Sequence, residues 1–228
     1  MPERQETQRL QRLRAIGALR ESYVEALLAG EEASAERAIR DAIDAGIGES
    51  TIYDAIMAPA LRRVGEGWAS GELSVADEHL ATHISVRMVA LQREVSRVTN
   101  RRLSTRVLLC GLEQEQHVVG LEMAANVLLH AGYDVRVLGA NVPIDTLASA
   151  VERHEPAIVG FSATMATTAK VLPAAIYETR SADPSVGVII GGAAASLRME
   201  ATAGTAVCTH VSDAVDIADG LAQRSALN

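Results

Sequence analysis

The chain lacks any apolar run approaching the ~20 residues that span a bilayer, and its polar start, MPERQETQRLQR, has no signal-peptide core. These absences exclude an embedded or secreted protein and lead us to expect a soluble, cytoplasmic one. Cysteine is scarce too. The two present, Cys110 and Cys208, lie in apolar, strand-like stretches and read as small buried hydrophobes rather than a disulfide or a nucleophile. Excess positive charge is missing: the net charge is -8 and the pI about 5.3, which argues against tight direct binding to a phosphate backbone. Residues 1–20 are the exception, with five Arg against two Glu, and read as a solvated helix face. No internal repeat or low-complexity tract is present.

What is present changes character near residue 102. The first hundred residues carry a helical period broken by stop signals. Leu10, Leu13, Ile16, Tyr23, Leu27 and Leu28 predict one helix ending at Gly30, and Ala38, Ile39, Ala42 and Ile43 a second ending at Gly46. A third is predicted from Ser50 to about Val64, kinked at Pro59. The fourth begins at Ser74, where Asp77 three residues on makes a capping-box-like start, and continues to about Val98. Four helices with short connections read as a bundle over residues 1–101.

From residue 102 to 228 the pattern becomes α/β. RVLLC, YDVRVLG, AIVGFSA, VGVIIGG and AVCTHVS are five candidate strands, with helices predicted around 117–131, 144–154, 166–181, 194–202 and 212–224. This alternation implies a doubly wound parallel sheet of flavodoxin-like, Rossmann-like order, with ligands bound beyond the carboxyl ends of the strands. Those ends lack a G-x-G-x-x-G turn and a P-loop Lys-Ser/Thr, so nicotinamide dinucleotides and ATP are excluded. The third strand ends in FSAT rather than a carboxylate, which excludes a phosphoacceptor domain.

The strand ends instead carry E-x-H-x-x-G (Glu115, His117, Gly120), then after 41 residues S-x-T (Ser162, Thr164), then after 26 more G-G (Gly191, Gly192). Three separated elements agreeing in type and spacing resemble the cobalamin-binding domain shared by methionine synthase, corrinoid carrier proteins, several mutases and cobalamin photoreceptors. The resemblance implies that His117 is the lower cobalt ligand, replacing the cofactor's own base, and that Glu115 accepts the other ring N–H, fixing the tautomer. It further implies that Gly120, Gly191 and Gly192 leave room for the released nucleotide tail and that Ser162 bonds the displaced base or the ligand network. Glu115 stands where methyl carriers commonly have Asp.

The helical half contains GEGWASGELSVADEH, in which Trp68 precedes Glu78-His79 by nine intervening residues. This is similar to the W-x9-E-H signature of CarH/LitR-type photoreceptors, which hold adenosylcobalamin beneath a four-helix bundle. The resemblance implies that Trp68 covers the upper axial group and that Glu78 and His79 hydrogen-bond the adenosyl moiety. Photoreceptors of this family carry an N-terminal MerR-like DNA-binding domain, whereas here the bundle begins almost at Met1, so direct DNA binding is not expected. Their light-state upper ligand is a histidine directly after the tryptophan, where this chain has Ala69. His79 and His83, four residues apart, could ligate a metal, but no third ligand is evident. His130, His154 and His210 look peripheral.

Two functions remain open. One is a stand-alone, non-enzymatic light sensor using adenosylcobalamin, acting through a homo-oligomer or a regulatory partner. The other is a corrinoid methyl carrier for a methyltransferase, using methylcobalamin. The W-x9-E-H spacing favours the first.

Overall fold

The computed structural model describes residues 2–95, 103–193 and 204–225. The expected boundary at 101/102, the end of the fourth helix at Val98 and the helix expected over 194–202 lie outside them. Two compact units are present, Met1–Gln92 and Arg93–Asn228.

The first unit is all helical: α1 (Pro2–Ala29), α2 (Glu32–Asp44), a short α3 (Glu49–Thr51) running through a π-helical turn (Ile52–Met57) into α4 (Ala58–Ser70), and α5 (Val75–Val95). The third predicted helix therefore continues past Val64 to Ser70, where Gly71 at φ +79 caps it. The expected kink is a π turn. Pro59 has no N–H to offer the Ala55 carbonyl, and widening the preceding turn absorbs the missing donor without breaking the rod. That turn buries Ile52, Tyr53, Ile56 and Met57.

The Ser74–Asp77 capping box forms as predicted. Ser74 N–H donates to Asp77 Oδ2 at 2.9 Å and Asp77 N–H to Ser74 Oγ at 3.2 Å. Inside the bundle the Tyr23 and Ser85 hydroxyls share a hydrogen bond of 2.9 Å, and burial pushes the Tyr23 phenol well above its ordinary value despite it. The α1 pattern needs a correction: Ile16, Tyr23 and Leu27 are buried, but Leu10, Leu13 and Leu28 are exposed. With 28 residues, α1 runs about 42 Å and outreaches the 13-residue α2 beside it.

In the second unit, β1 (Arg106–Leu112), α6 (Val119–His130), β2 (Asp134–Val142), α7 (Leu147–His154), β3 (Ile158–Ser162), α8 (Leu172–Ala182), β4 (Gly187–Gly191), β5 (Thr205–Cys208) and α9 (Ala214–Ser225) alternate. The strands form one parallel sheet in the order β2-β1-β3-β4-β5, the doubly wound order the sequence implies. One face packs Leu108, Cys110, Val159, Phe161, Val188 and Ile190 against α7 and α8. The other packs Val107, Leu109, Ile158 and Ile189 against α6 and α9, through Leu121, Ala125, Leu128, Ala218 and Leu221. Cys110 is buried as expected, its thiol pushed up to about 12 by burial. Cys208, expected in the core, is half-exposed because β5 is an edge strand that ends there, and its thiol donates to the His210 carbonyl at 3.1 Å. Among the described residues no helix is long and apolar enough to cross a membrane.

Candidate functional site

Between the end of β1 and the start of α6 the chain makes one tight turn, and the turn is built around Glu115. Its side chain is fully buried and takes its donors partly from its own turn and partly from the segment after β3. Oε1 accepts the His117 main-chain N–H at 3.0 Å and His117 Nδ1 at 2.6 Å. Oε2 accepts the Thr164 N–H at 2.5 Å and lies 3.1 Å from the Thr168 hydroxyl, which also bonds the Met165 carbonyl at 2.8 Å. Burial alone pushes the Glu115 carboxyl upward. The His117 ring, the Thr164 and His117 N–H groups and the histidine's charge outweigh it and hold the carboxyl below its ordinary value.

That ionised carboxylate decides the histidine's chemistry. An acceptor at Nδ1 requires the proton there, so a neutral His117 carries its lone pair on Nε2. The imidazole is 43% exposed while its partner is wholly buried, so the ring stands on a fixed base of hydrogen bonds with Nε2 as its basic nitrogen.

The turn is clamped by a residue that sequence reasoning missed. Asn141, at the end of β2, accepts the Gln114 N–H on its side-chain oxygen at 2.7 Å and donates its own N–H to the Glu115 carbonyl at 2.9 Å. Gln114 and Asn141 both hold positive φ, +69° and +54°, a conformation Asn tolerates better than most residues. The only local signal was an Asn within the turn-like GANVP. Thr168 was missed as well.

The remaining strand-end residues fall in one row. Gly111 pairs with Ser162, Ser162 with Gly191, and Gly191 with Cys208. The two motif glycines at the end of β4 differ in what the fold asks of them. Gly192 has φ +99, and a Cβ there would lie 2.5 Å from the Ala163 carbonyl oxygen, so the fold itself demands it. Among the described residues, a Cβ on Gly191 would meet nothing closer than 3.8 Å, and one on Gly120 nothing within 4 Å. Neither contact with the described residues nor backbone conformation requires those two.

In the helical unit, Trp68 lies in the last turn of α4, 44% exposed. Glu78 and His79 occupy the first turns of α5, on the other side of a connection closed by Glu72 and Leu73 N–H bonds to the Gly67 carbonyl. Glu78 Oε2 lies 2.6 Å from His79 Nδ1, and Oε1 accepts the Thr82 hydroxyl at 2.9 Å. Ala69 and His83 are exposed. Among the described residues no group of three or more His, Cys, Asp or Glu side chains could hold a metal ion.

The B12 binding domain family matches residues 105–219, and a second B12 binding domain family matches residues 19–91. The HTH-type transcriptional repressor CarH of Myxococcus xanthus is 34% identical over 180 residues, covering 77% of this chain and 59% of the relative, so the chain spans only part of that protein's length. The trimethylamine corrinoid protein of Methanosarcina barkeri is 29% identical over 147 residues, 63% of this chain and 67% of the relative. The structure of the Methanosarcina barkeri monomethylamine corrinoid protein superposes with a TM-score of 0.76 at 15% identity, covering 89% of this chain and 97% of that one, which shows the shared fold. With the helical segment and the α/β segment each matched by a B12 binding domain, and with a buried carboxylate steering a histidine at the mouth of the sheet, the chain belongs to the B12 binding domain family.

Proposed function

We propose that this protein is a non-enzymatic sensor that binds adenosylcobalamin and answers light by changing its self-association or its contact with a regulatory partner. The observation that carries this reading is the pairing of W-x9-E-H at the α4–α5 connection with E-x-H-x-x-G at the end of β1, in a chain 34% identical to CarH. The α/β residues suit the cofactor: a histidine whose tautomer is set by a buried carboxylate, and two glycines, Gly120 and Gly191, whose missing side chains are explained neither by the described neighbours nor by conformation.

When bound, adenosylcobalamin supplies a cobalt–carbon bond that light cleaves. In this reading His117 holds the cobalt through Nε2, and Glu115 keeps the Nδ1 proton in place and raises the ring's basicity. Ser162 and Thr164 border the same strand ends, Gly120 and Gly191 leave space for the nucleotide tail, and Gly192 shapes the backbone beside it. Trp68 would shield the alkyl group of the cofactor by shape, and Glu78 and His79 would hydrogen-bond an adenosine there. Ala69 offers no ligand atom, so among the neighbouring side chains only His79 and His83 would bring a nitrogen able to bind cobalt once the adenosyl group had left; we favour water over either, and with it a readily reversed product. Anaerobic and aerobic illumination followed by electron paramagnetic resonance decides this, and a stable bis-histidine signal surviving in both His79→Ala and His83→Ala would refute it.

A second reading, a corrinoid methyl carrier serving a methyltransferase with methylcobalamin, is favoured by the 29% identity to the trimethylamine corrinoid protein. Loading the protein with each alkylcobalamin and comparing spectra and elution volume in darkness and after green light separates the two. The sensor reading expects preference for the adenosyl form and a light-dependent elution shift. Equal retention of the methyl form with unchanged elution would sink it in favour of the carrier. Trp68→Ala should erase the discrimination between the two alkyl groups.

A further inference from the structure

The row of paired residues that ends β1, β3, β4 and β5 extends one position beyond the motif. Side chains two apart on a strand share a face, and registered partners on neighbouring parallel strands share it too. Leu109, Ile158 and Ile189 lie on the α6/α9 face, so Gly111, Ser162 and Gly191 lie there as well, and Cys208 packs against the same cluster. The two ends of this row differ. Over Gly111 the Glu115 side chain closes down, its Cγ only 3.4 Å from where a Cβ would sit. Beyond it the row is Ser162, Gly191 and Cys208, with no side chain on the middle member.

Two observations mark this stretch as built for a ligand. Ser162 is only 6% exposed and among the described residues its hydroxyl makes no side-chain hydrogen bond, yet that oxygen is not among the fully enclosed unsatisfied atoms, so it meets solvent at the strand end with its hydrogen-bonding capacity unused by the protein. Gly191, between it and Cys208, has no positive φ and, among the described residues, no close neighbour to explain its missing side chain. Cys208 borders that gap from the edge strand, half-exposed, whereas Cys110 is fully buried on the opposite face. We propose that Cys208 forms the β5 wall of the groove that takes the cofactor's nucleotide tail, so that its thiol is covered when cobalamin binds. The proposal rests on the cobalamin reading, but it assigns a residue outside the E-x-H-x-x-G, S-x-T and G-G positions.

The test is alkylation of the whole protein with N-ethylmaleimide, followed at each cysteine by peptide mass spectrometry. It is run without ligand, with adenosylcobalamin, and with cobinamide, which has the corrin but no nucleotide tail. Cys110 serves as the internal control for unfolding. Adenosylcobalamin should slow Cys208 modification by about tenfold, and cobinamide should not. Cys208→Trp should weaken cobalamin binding by about tenfold by filling the groove while leaving cobinamide binding unchanged, with Cys208→Ser as the control that keeps the volume. A cobalamin-loaded protein whose Cys208 reacts at the unliganded rate overturns the assignment, as does equal protection by cobinamide, which would place the thiol beside the corrin. Absence of any bound cobalamin spectrum overturns the cobalamin reading itself, a distinct outcome. If Cys208→Trp does not fold, the protection ratio on the unmodified chain still decides.

Discussion

Each unit of the protein contains a glutamate bonded to a histidine Nδ1 at 2.6 Å, and the two pairs are otherwise unlike. Glu115 is wholly buried and gathers donors from its own turn, from the Thr164 backbone and from Thr168, residues 49 and 53 positions away. Glu78 reaches only along its own helix, to the next residue and to Thr82 one turn on, and its histidine is 69% exposed. The first pair is fixed by the tertiary fold; the second is held by one turn of helix. A short distance between the same two residue types thus says little about preorganisation. What matters is how many other groups must move for the pair to break.

The largest expected difference is between Glu115→Ala and Glu78→Ala. Removing Glu115 leaves the Thr164 N–H, the His117 N–H and the His117 ring without their acceptor, which should cost about 3 kcal/mol of folding stability. It should also release the His117 tautomer. Removing Glu78 leaves an exposed imidazole that water can serve, and should cost about 0.5 kcal/mol or less. Urea denaturation of both variants checks this, and equal losses would break the comparison.

Asn141 should come next, because it ties the Glu115 turn to a second strand and nothing comparable ties down Glu78. Asn141→Ala loses the Gln114 bond and places a Cβ residue without Asn's tolerance at φ +54, for about 2 kcal/mol. Asn141→Gly restores the conformation but not the acceptor and should recover about half of that loss. If alanine and glycine cost the same, the left-handed backbone contributes nothing.

Parts of this architecture were legible in the sequence because their causes are local. The five strands and their order follow from short β-branched runs alternating with helical stretches, and the Ser74–Asp77 cap is an i, i+3 relation within one turn. The Glu115–His117 bond spans two residues and follows from the motif. Asn141 was hidden because its partner is 27 residues away, and the shared row of Ser162, Gly191 and Cys208 exists only once strand register is known. Pro59 announced a disturbance but not a π turn, since the sequence gives no hint of how a helix will absorb a missing donor. Leu10 and Leu13 fit the helical period; their exposure depends on how far the neighbouring helix reaches.

The pH response should sharpen the comparison further. Because Glu115 is held below its ordinary value in the folded state, its ionisation stabilises the fold at pH values above the unfolded glutamate range. That contribution decays as pH falls through the lowered folded value, where the folded state must finally take up the proton. The gap in unfolding free energy between the natural protein and Glu115→Gln should therefore be full at neutral pH and narrow on acidification. Asp77 and Asp134 also ionise below their ordinary values, but they are unchanged in both proteins and cancel in the difference. A gap that does not narrow once the pH falls below the unfolded glutamate range would reverse the assignment.

The smallest expected effect separates the two threonines behind the carboxylates. Thr168→Val removes a buried hydroxyl whose single proton lies between two acceptors, the Met165 carbonyl at 2.8 Å and Glu115 Oε2 at 3.1 Å, and no water can replace it without entering the turn. About 1 kcal/mol should be lost, with a disturbed His117 ring resonance in the nuclear magnetic resonance spectrum. Thr82→Val removes a single bond to Glu78 Oε1, where Thr82 is only half-buried and water can take the hydroxyl's place. The loss there should be no more than about 0.3 kcal/mol, with the His79 resonance hardly moved. The branched shape is kept in both cases, so helix propensity and packing volume change little and the contrast reports the hydroxyl alone. If Thr82→Val instead shifts His79 as strongly as Thr168→Val shifts His117, the exposed pair is organised by its helix as firmly as the buried one is by the sheet. His79 would then be a prepared metal or adenosine ligand rather than a side chain resting against its neighbour.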